Sequence, residues 1–138
     1  MTFQLIFSVE GNPVGKQRPR FTKMGRTYTP KKTADYEAEI ADKAMVAMGP
    51  CTPLETPVAV YVYINHAIPA SYSKKRKDAC LNRFERPKKP DLDNVAKAYL
   101  DAMNGIVYKD DVQVVSLHVT KRYDTIASVH VCVREELE

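Results

Sequence analysis

Residues 91–111 constrain this chain more than any other segment, because they place five aspartates within 21 residues, with Lys97 among them. Carboxylates that lie this close repel one another unless a cation, a proton or a lysine lies among them. The simplest such cation is a divalent metal ion such as Mg²⁺, a hard ion that prefers oxygen ligands. The six residues are Asp91, Asp93, Lys97, Asp101, Asp110 and Asp111.

The chain as a whole is basic, with a formal net charge of +4. Residues 15–32 hold seven basic residues and no acidic one, and residues 73–89 hold eight basic residues against two acidic ones. One such cluster is explained by a solvated charged face. Two clusters, one adjoining the aspartates, favour binding to the phosphates of a nucleic acid. The predicted DNA-contacting residues are Lys16, Arg18, Arg20, Lys74, Lys75, Arg76, Lys88 and Lys89.

The length of 138 residues predicts one domain, residues 1–138. A hydrophobic content of 44% is typical of a soluble globular protein, and no apolar run approaches the ~20 residues of a membrane span. The first residues alternate like a strand and lack the basic start of a signal peptide, so we expect a cytoplasmic protein. The three cysteines show no CxxC spacing, which indicates free thiols rather than a disulfide framework or a zinc site.

Alternation of apolar residues predicts four strands, at residues 3–9, 58–64, 112–121 and 126–133. In the third of these, Val115, Leu117 and Val119 are expected on one side. A break at residues 11–15 separates the first strand from a basic loop, which is interpreted as an arm or a hairpin around Gly25.

Three helices are predicted between these strands. The first begins at Thr29-Pro30 and runs to about Met48, with four residues on its inner face. Ser73 caps a short basic helix, and a third helix begins at Asp93 or Asn94 and stops at Asn104-Gly105. The order of elements indicates an α+β or mixed α/β domain with a small sheet. The expected inner-face residues of the first helix are Tyr36, Ile40, Ala44 and Ala47.

The spacing of the acidic residues suits a metal site. In an extended segment Asp91 and Asp93 point the same way, with Cα atoms about 6–7 Å apart. On a helix, Asp93, Lys97 and Asp101 stack on one face. An exposed ladder of ion pairs, worth little energy, explains Asp101 well. It explains Asp93 and Lys97 less well, because Asp91 adds uncompensated charge beside them.

Asp110 and Asp111 precede the predicted third strand. Adjacent side chains on a strand face opposite ways, so one of the two is expected in the site and the other in a supporting role. The chemistry that fits is metal-assisted hydrolysis of a phosphodiester, with Lys97 stabilising negative charge. No Ser-His-Asp or Cys-His pairing competes, and no GxxxxGKS loop for a nucleotide cofactor is present.

Five motifs resemble those of the RusA family of Holliday junction resolvases. The central motif is KPDLDNVAK at residues 89–97, which is highly specific. The resemblance covers most of the chain. The other motifs are KQRPRF at 16–21, SYSKKR at 71–76, LDAMNG at 100–105 and YKDDVQVV at 108–115.

The resemblance implies a homodimeric endonuclease of DNA recombination and repair. Such an enzyme depends on Mg²⁺, with Mn²⁺ as an alternative, and resolves Holliday junctions by paired nicking of opposed strands. The implied fold is a small mixed four-stranded sheet flanked by helices. Asp91, Asp93 and Asp111 match the catalytic, metal-binding carboxylates, and Lys97 matches the essential lysine. The positions with implied supporting roles are Asn94, Asp101 and Asp110.

Two other functions stay open at this point: a broader metal-dependent nuclease that cuts flaps or other branched DNA, and a non-catalytic DNA-binding module. Four candidate catalytic residues together argue against the binding module. Tyr72 or Phe84 could wedge at a branch point, although a core or loop-anchoring role explains either residue equally well. The basic loop at residues 15–32 is longer than in the enteric-type members, so their preferred cleavage sequence is not transferred to this chain.

Overall fold

A mixed four-stranded sheet forms the centre of the fold. The structure is a computed structural model that describes residues 3–137. The strands are β1 (Gln4–Glu10), β2 (Arg20–Phe21), β3 (Thr27–Tyr28), β4 (Val58–Ala67), β5 (Val114–Asp124) and β6 (Ser128–Glu135). The helices are α1 (Lys31–Met48), α2 (Lys74–Leu81) and α3 (Leu92–Met103), with a 3₁₀ turn at Asp111–Gln113.

Side-chain alternation gives this sheet one apolar face. In β1, Leu5, Phe7 and Val9 are buried, whereas the residues between them are exposed. β6 pairs antiparallel with both β1 and β4, and β5 pairs parallel with β4. A parallel pair needs a crossover connection, which α2 and α3 provide between β4 and β5. The predicted α+β class with a mixed four-stranded sheet is confirmed.

Helices α1 and α3 both pack on the apolar face of the sheet. Ile40 of α1 and Val95 and Tyr99 of α3 belong to the same buried cluster as the inward residues of β1, β4 and β6. The two helices are joined by a hydrogen bond of 2.6 Å between the hydroxyl groups of Tyr36 and Tyr99. The opposite face of the sheet carries no helix in the part of the chain that the structure describes.

The inner face of α1 corrects one prediction. Ala47 is exposed, and Met48, one position later, is buried in its place. Thr33, near the start of the helix, is also buried. The helix begins at Lys31, and its N-cap is Pro30, which makes no side-chain capping bond. The predicted proline at the first helical position therefore lies one residue before it.

Two other element boundaries differ from the prediction in ways that affect the acidic residues. α3 begins at Leu92, so that Asp91 is its N-cap and Asp93 lies in its first turn. The predicted strand at residue 112 begins at Val114, because Asp110 and Gln113 form a capping box around the 3₁₀ turn. Asp111 therefore lies on a turn and not beside a strand partner.

Two further predictions of local structure are confirmed, whereas the strand predicted at residues 126–133 lies at Ser128–Glu135. β2 and β3 form the expected hairpin, and the Ser73 hydroxyl accepts a hydrogen bond from the Arg76 N–H at the start of α2. Leu117 and Val119 share one side of β5 as expected, whereas Val115 lies at a β-bulge outside the alternation. Val115 and Leu117 are 61% and 45% exposed because β5 is an edge strand. Among the described helices, none has the length and apolar character that crossing a membrane requires.

Candidate active site

A cleft of about 770 Å³ opens where the start of α3 meets the segment after β1. Asp91, Asp93 and Asn94 form its acidic and polar side. Basic residues surround them, so the cleft presents two carboxylates within a rim of cations, an arrangement that suits a metal ion and a phosphate together. The basic residues are Lys16, Arg18, Lys32 and Lys89.

Gly15 allows the two walls of the cleft to approach each other. A Cβ atom at this position would lie 2.9 Å from the Cβ of Pro90 and 3.2 Å from the Cβ of Asn94. The neighbouring Lys16 N–H donates a hydrogen bond of 2.9 Å to the Asn94 carbonyl oxygen. At this glycine the sequence indicated only a break after the first strand. The close approach was not predicted, because it involves residues about 75 positions away in the chain.

The carboxylates of Asp91 and Asp93 are not engaged by the protein. Both residues are exposed, and neither side chain takes part in a hydrogen bond or an ion pair with another residue of the range 3–137. Both stand at the positive end of the α3 dipole, which stabilises negative charge there. These two oxygen donors are therefore available to a cation or a substrate.

The ammonium group of Lys16 lies between the two helices. It donates to Glu37 of α1 at 2.8 Å and to Asp101 of α3 at 2.6 Å. Partial burial alone would lower the pKa of Lys16, but the hydrogen bonds to the two carboxylates outweigh it and raise the pKa. Lys16, predicted as a DNA contact, lines the cleft with its charge already balanced. Glu37, which sequence analysis missed, gave no signal because its partner is distant in sequence.

Lys97 is exposed on α3 and, within the described residues, takes part in no ion pair. The ladder of Asp93, Lys97 and Asp101 that the helical spacing allowed is not formed, because Asp101 binds Lys16 instead. The Lys97 ammonium group is thus free to meet a charged ligand.

Asp110 and Asp111 have separate roles. The Asp110 carboxylate accepts a hydrogen bond of 3.1 Å from the Val112 N–H and caps the 3₁₀ turn. The pKa of Asp111 is raised, first by its hydrogen bond with the Asp110 side chain, then by partial desolvation and by the negative charges of Asp110 and Asp101. Asp111 is thus in the neighbourhood of Asp101, and it is not among the residues that line the cleft.

The structure therefore brings together Asp91 and Asp93 at the cleft, and places Asp111 with Asp101 and Asp110. Over residues 3–137, no three or more Asp, Glu, His or Cys side chains are close enough together to hold a metal ion. Mg²⁺ is usually bound by one or two protein carboxylates, with waters and substrate phosphates completing its shell. Asp91 and Asp93 meet that requirement, whereas the participation of Asp111 stays a prediction.

The predicted DNA-contacting residues on α2 differ in their surroundings. Lys74 and Lys75 are exposed. Arg76 is engaged within the protein: its Nε donates to both carboxylate oxygens of Glu85, at 3.0 and 3.1 Å, and its guanidinium lies 3.6 Å from the centroid of the Tyr72 ring. The other predicted contacts, Arg18, Arg20, Lys88 and Lys89, are exposed.

The two candidate wedge residues also differ. Tyr72 is half-buried beneath Arg76, which favours its loop-anchoring role. Phe84 is 85% exposed in the loop after α2. An apolar ring this exposed is available to a ligand, and Phe84 is the better candidate of the two for contact with unpaired bases.

Comparison with known proteins gives two findings. A family model described as endodeoxyribonuclease RusA matches residues 10–134, nearly the whole chain. The chain is also 37% identical over 135 residues to an uncharacterized protein, YqaN, of Bacillus subtilis strain 168, and the match covers 94% of each chain. The matched range includes the cleft and both groups of aspartates.

Proposed function

Because this chain belongs to the RusA endodeoxyribonuclease family, we propose that it is a Mg²⁺-dependent endonuclease that resolves Holliday junctions by paired nicking of opposed strands. The observation that carries the proposal is the pair of unengaged carboxylates, Asp91 and Asp93, in a cleft rimmed by cations. The fold neutralises Asp101 with Lys16 but gives these two no partner among residues 3–137. Charge left uncompensated at one place is expected of a functional site.

Asp91 and Asp93 are the proposed metal ligands, with Asp111 as a third. When bound, Mg²⁺ or Mn²⁺ polarises a phosphate oxygen and lowers the pKa of a coordinated water molecule. The Lys97 ammonium group, which forms no ion pair within residues 3–137, would stabilise the negative charge that develops on the phosphate during strand cleavage. Arg18 and Lys89, on the rim, would bind flanking phosphates of the DNA backbone.

Paired nicking of a junction implies two active sites, and we propose that a homodimer provides them. A Holliday junction is close to two-fold symmetric, and an isologous dimer presents two equivalent sites related by the same kind of axis. The edge strand β5 supports association, since Val115 and Leu117 are exposed on it and Val112, just before it, is 79% exposed. Exposed apolar residues on an unpaired strand edge favour pairing with another chain.

A nicking assay tests the proposed function. A synthetic four-way junction, a flap and a linear duplex of the same sequence are incubated with the protein, with and without Mg²⁺. Symmetric nicks in opposed strands of the junction, dependent on the metal, are the expected result. Equal cutting of the flap would identify a broader branched-DNA nuclease, and binding without cutting would identify a non-catalytic DNA-binding module.

A further inference from the structure

A second basic cavity, of about 570 Å³, lies on the face of the sheet that carries no helix. Its floor is formed by β4, β5 and β6, where Tyr63 pairs with both Thr120 and His130, and Asn65 pairs with Arg122. Because side chains alternate along a strand, these residues point away from the buried face formed by their neighbours, such as Val62 and Ile64. The cavity and the Asp91–Asp93 cleft are therefore on opposite sides of the sheet.

This cavity, called here the far-face pocket, has a strongly positive lining. Arg83, Arg86, Lys121 and Arg122 line it together with neutral residues, and no carboxylate is among its lining residues. None of the four cations forms an ion pair within residues 3–137. Lys121 pairs with Ile64, so its side chain leaves on the other face of the sheet and its ammonium group donates to the Lys88 carbonyl. The three arginines that remain have no counter-charge among the lining residues, so the pocket is suited to an anionic ligand.

The cation at the floor of the pocket is held in place. The Nε of Arg122 donates a hydrogen bond of 3.0 Å to the Asn65 amide oxygen, and Asn65, which is buried, donates in turn to Ser128 at 3.3 Å. Ser128 bonds His130 at 3.2 Å, and the other ring nitrogen of His130 bonds Ser8 at 2.7 Å. An Arg122 positioned through Nε keeps its two terminal nitrogens for a ligand.

Arg83 occupies a backbone position that glycine usually takes. It follows the C-cap of α2 and has a φ of 67°, in the left-handed region. The Arg83 N–H bonds the Cys80 carbonyl and the Phe84 N–H bonds the Ala79 carbonyl, which is the Schellman pattern of helix termination. A glycine would adopt this backbone conformation without strain, whereas an arginine adds a cation that both suits the negative end of the helix dipole and lines the pocket.

A strip of basic residues connects the far-face pocket with the cleft, and Glu85, which also lies along it, is paired with Arg76. Arg86 lines both the far-face pocket and a smaller neighbouring cavity of about 290 Å³. Lys88 and Lys89 line that smaller cavity, and Lys89 also lines the cleft. The Lys121 ammonium group donates to the Lys88 carbonyl at 3.2 Å, which holds the strip against β5.

We propose that a DNA strand leaving the cleft follows residues 86–89 around the sheet and places its phosphodiester backbone in the far-face pocket. Charge complementarity identifies the ligand class, and the 42% exposed ring of Tyr63 in the wall offers a surface for a sugar or a base. The proposal rests on the proposed function, because it assumes DNA in the cleft. It predicts that the enzyme holds a bent or branched DNA on both sides of its sheet.

Junction affinity across a series of salt concentrations tests the proposal. Arg83→Gly and Arg122→Gln are compared with wild type by fluorescence anisotropy without divalent metal, so that the DNA stays intact. Each lost phosphate contact should lower the magnitude of the slope of log affinity against log salt concentration by about one. The ratio of the variant Kd to the wild-type Kd should therefore be about eightfold larger at 0.1 M salt than at 1 M salt. Arg83→Gly suits the left-handed backbone, so its thermal midpoint should equal or exceed that of wild type. Lys43→Gln, an exposed charge loss on α1, is the matched control and should leave both quantities unchanged.

Wild-type salt slopes in both arginine variants would overturn the proposal while the proposed function stands, provided that wild type cuts the junction. Absence of DNA binding by wild type would overturn both. If inorganic phosphate binds the pocket while the DNA affinity of the variants is unchanged, the pocket is a site for free anions, and the proposal is likewise wrong.

Discussion

The aspartates at the two ends of helix α3 differ in the bonds that their side chains form. At its start, Asp91 and Asp93 are exposed and make no bond to the rest of residues 3–137. Two turns further on, Asp101 holds the Lys16 ammonium group at 2.6 Å, in a cluster that also ties in Glu37 of α1. This fold therefore neutralises a carboxylate where a contact between its helices requires it. The two carboxylates without a partner in residues 3–137 serve no such contact, which is expected of a functional site.

Neutralising one aspartate at the start of α3 should have the largest effect on cleavage. Asp93→Asn removes a proposed metal ligand without changing the size of the side chain. We expect junction cleavage to fall at least about a thousandfold, which corresponds to roughly 4 kcal/mol of transition-state stabilisation. Junction binding should persist or tighten, because negative charge facing the DNA is lost. Initial nicking rates and anisotropy measure the two effects, and robust cutting by the variant would remove Asp93 from the active site.

A methyl group at Gly15 tests whether the shape of the cleft matters as well as its charge. Gly15→Ala places a Cβ against Pro90 and Asn94, neither of which can yield without moving the start of α3. The overlap should destabilise the fold by about 1–3 kcal/mol. It should also slow cleavage, because the aspartates are displaced. Chemical denaturation and nicking rates check both, and wild-type values for both would show that the two walls move freely apart.

Asp101→Asn is the counterpart of Asp93→Asn on the same helix. It leaves Lys16 with Glu37 alone, so the free energy of unfolding should fall by about 1–2 kcal/mol. Cleavage, measured below the unfolding transition, should stay close to wild type. Denaturant titration and the nicking assay separate the effects. A loss of cleavage as large as that of Asp93→Asn would show that Asp101 belongs to the reacting centre.

The smallest expected effect concerns His66, a buried residue that belongs to neither group of aspartates. Burial, and then the charge of Lys121, lower the pKa of His66, and its Nε2 finds no hydrogen-bond partner in residues 3–137. The unfolded chain therefore binds a proton more readily than the folded one, and stability should fall as pH drops below the ordinary histidine value of about 6.5. His66→Phe should weaken this pH dependence in thermal melts at pH 5 to 8. An unchanged slope would assign the dependence to other groups.

The sequence was sufficient for elements whose signal is local. Alternation in residues 3–9 and 58–64 identified β1 and β4, and the helix predicted to begin at Asp93 or Asn94 begins at Leu92. The extended geometry expected for Asp91 and Asp93 together was wrong, because Asp93 already lies in the first turn of that helix. The capping box at Asp110 and Gln113 was not predicted, because the residues from 112 onward were interpreted as the start of a strand. Gly15 and Glu37 were missed for another reason. Their roles depend on the segment after β1, which meets the start of α3 at Gly15 and meets α1 through the ion pair of Lys16 with Glu37. No spacing within one element records a contact between distant segments.

The most direct test of the account is the position of a bound divalent ion. Crystals of the protein soaked with Mn²⁺ would show the ion by its anomalous scattering. We expect a peak within roughly 2.0–2.3 Å of oxygens from both Asp91 and Asp93, with or without Asp111. A peak confined to Asp101, Asp110 and Asp111, or no peak at the cleft in crystals that leave it open to solvent, would contradict the claim that the start of α3 forms the metal site.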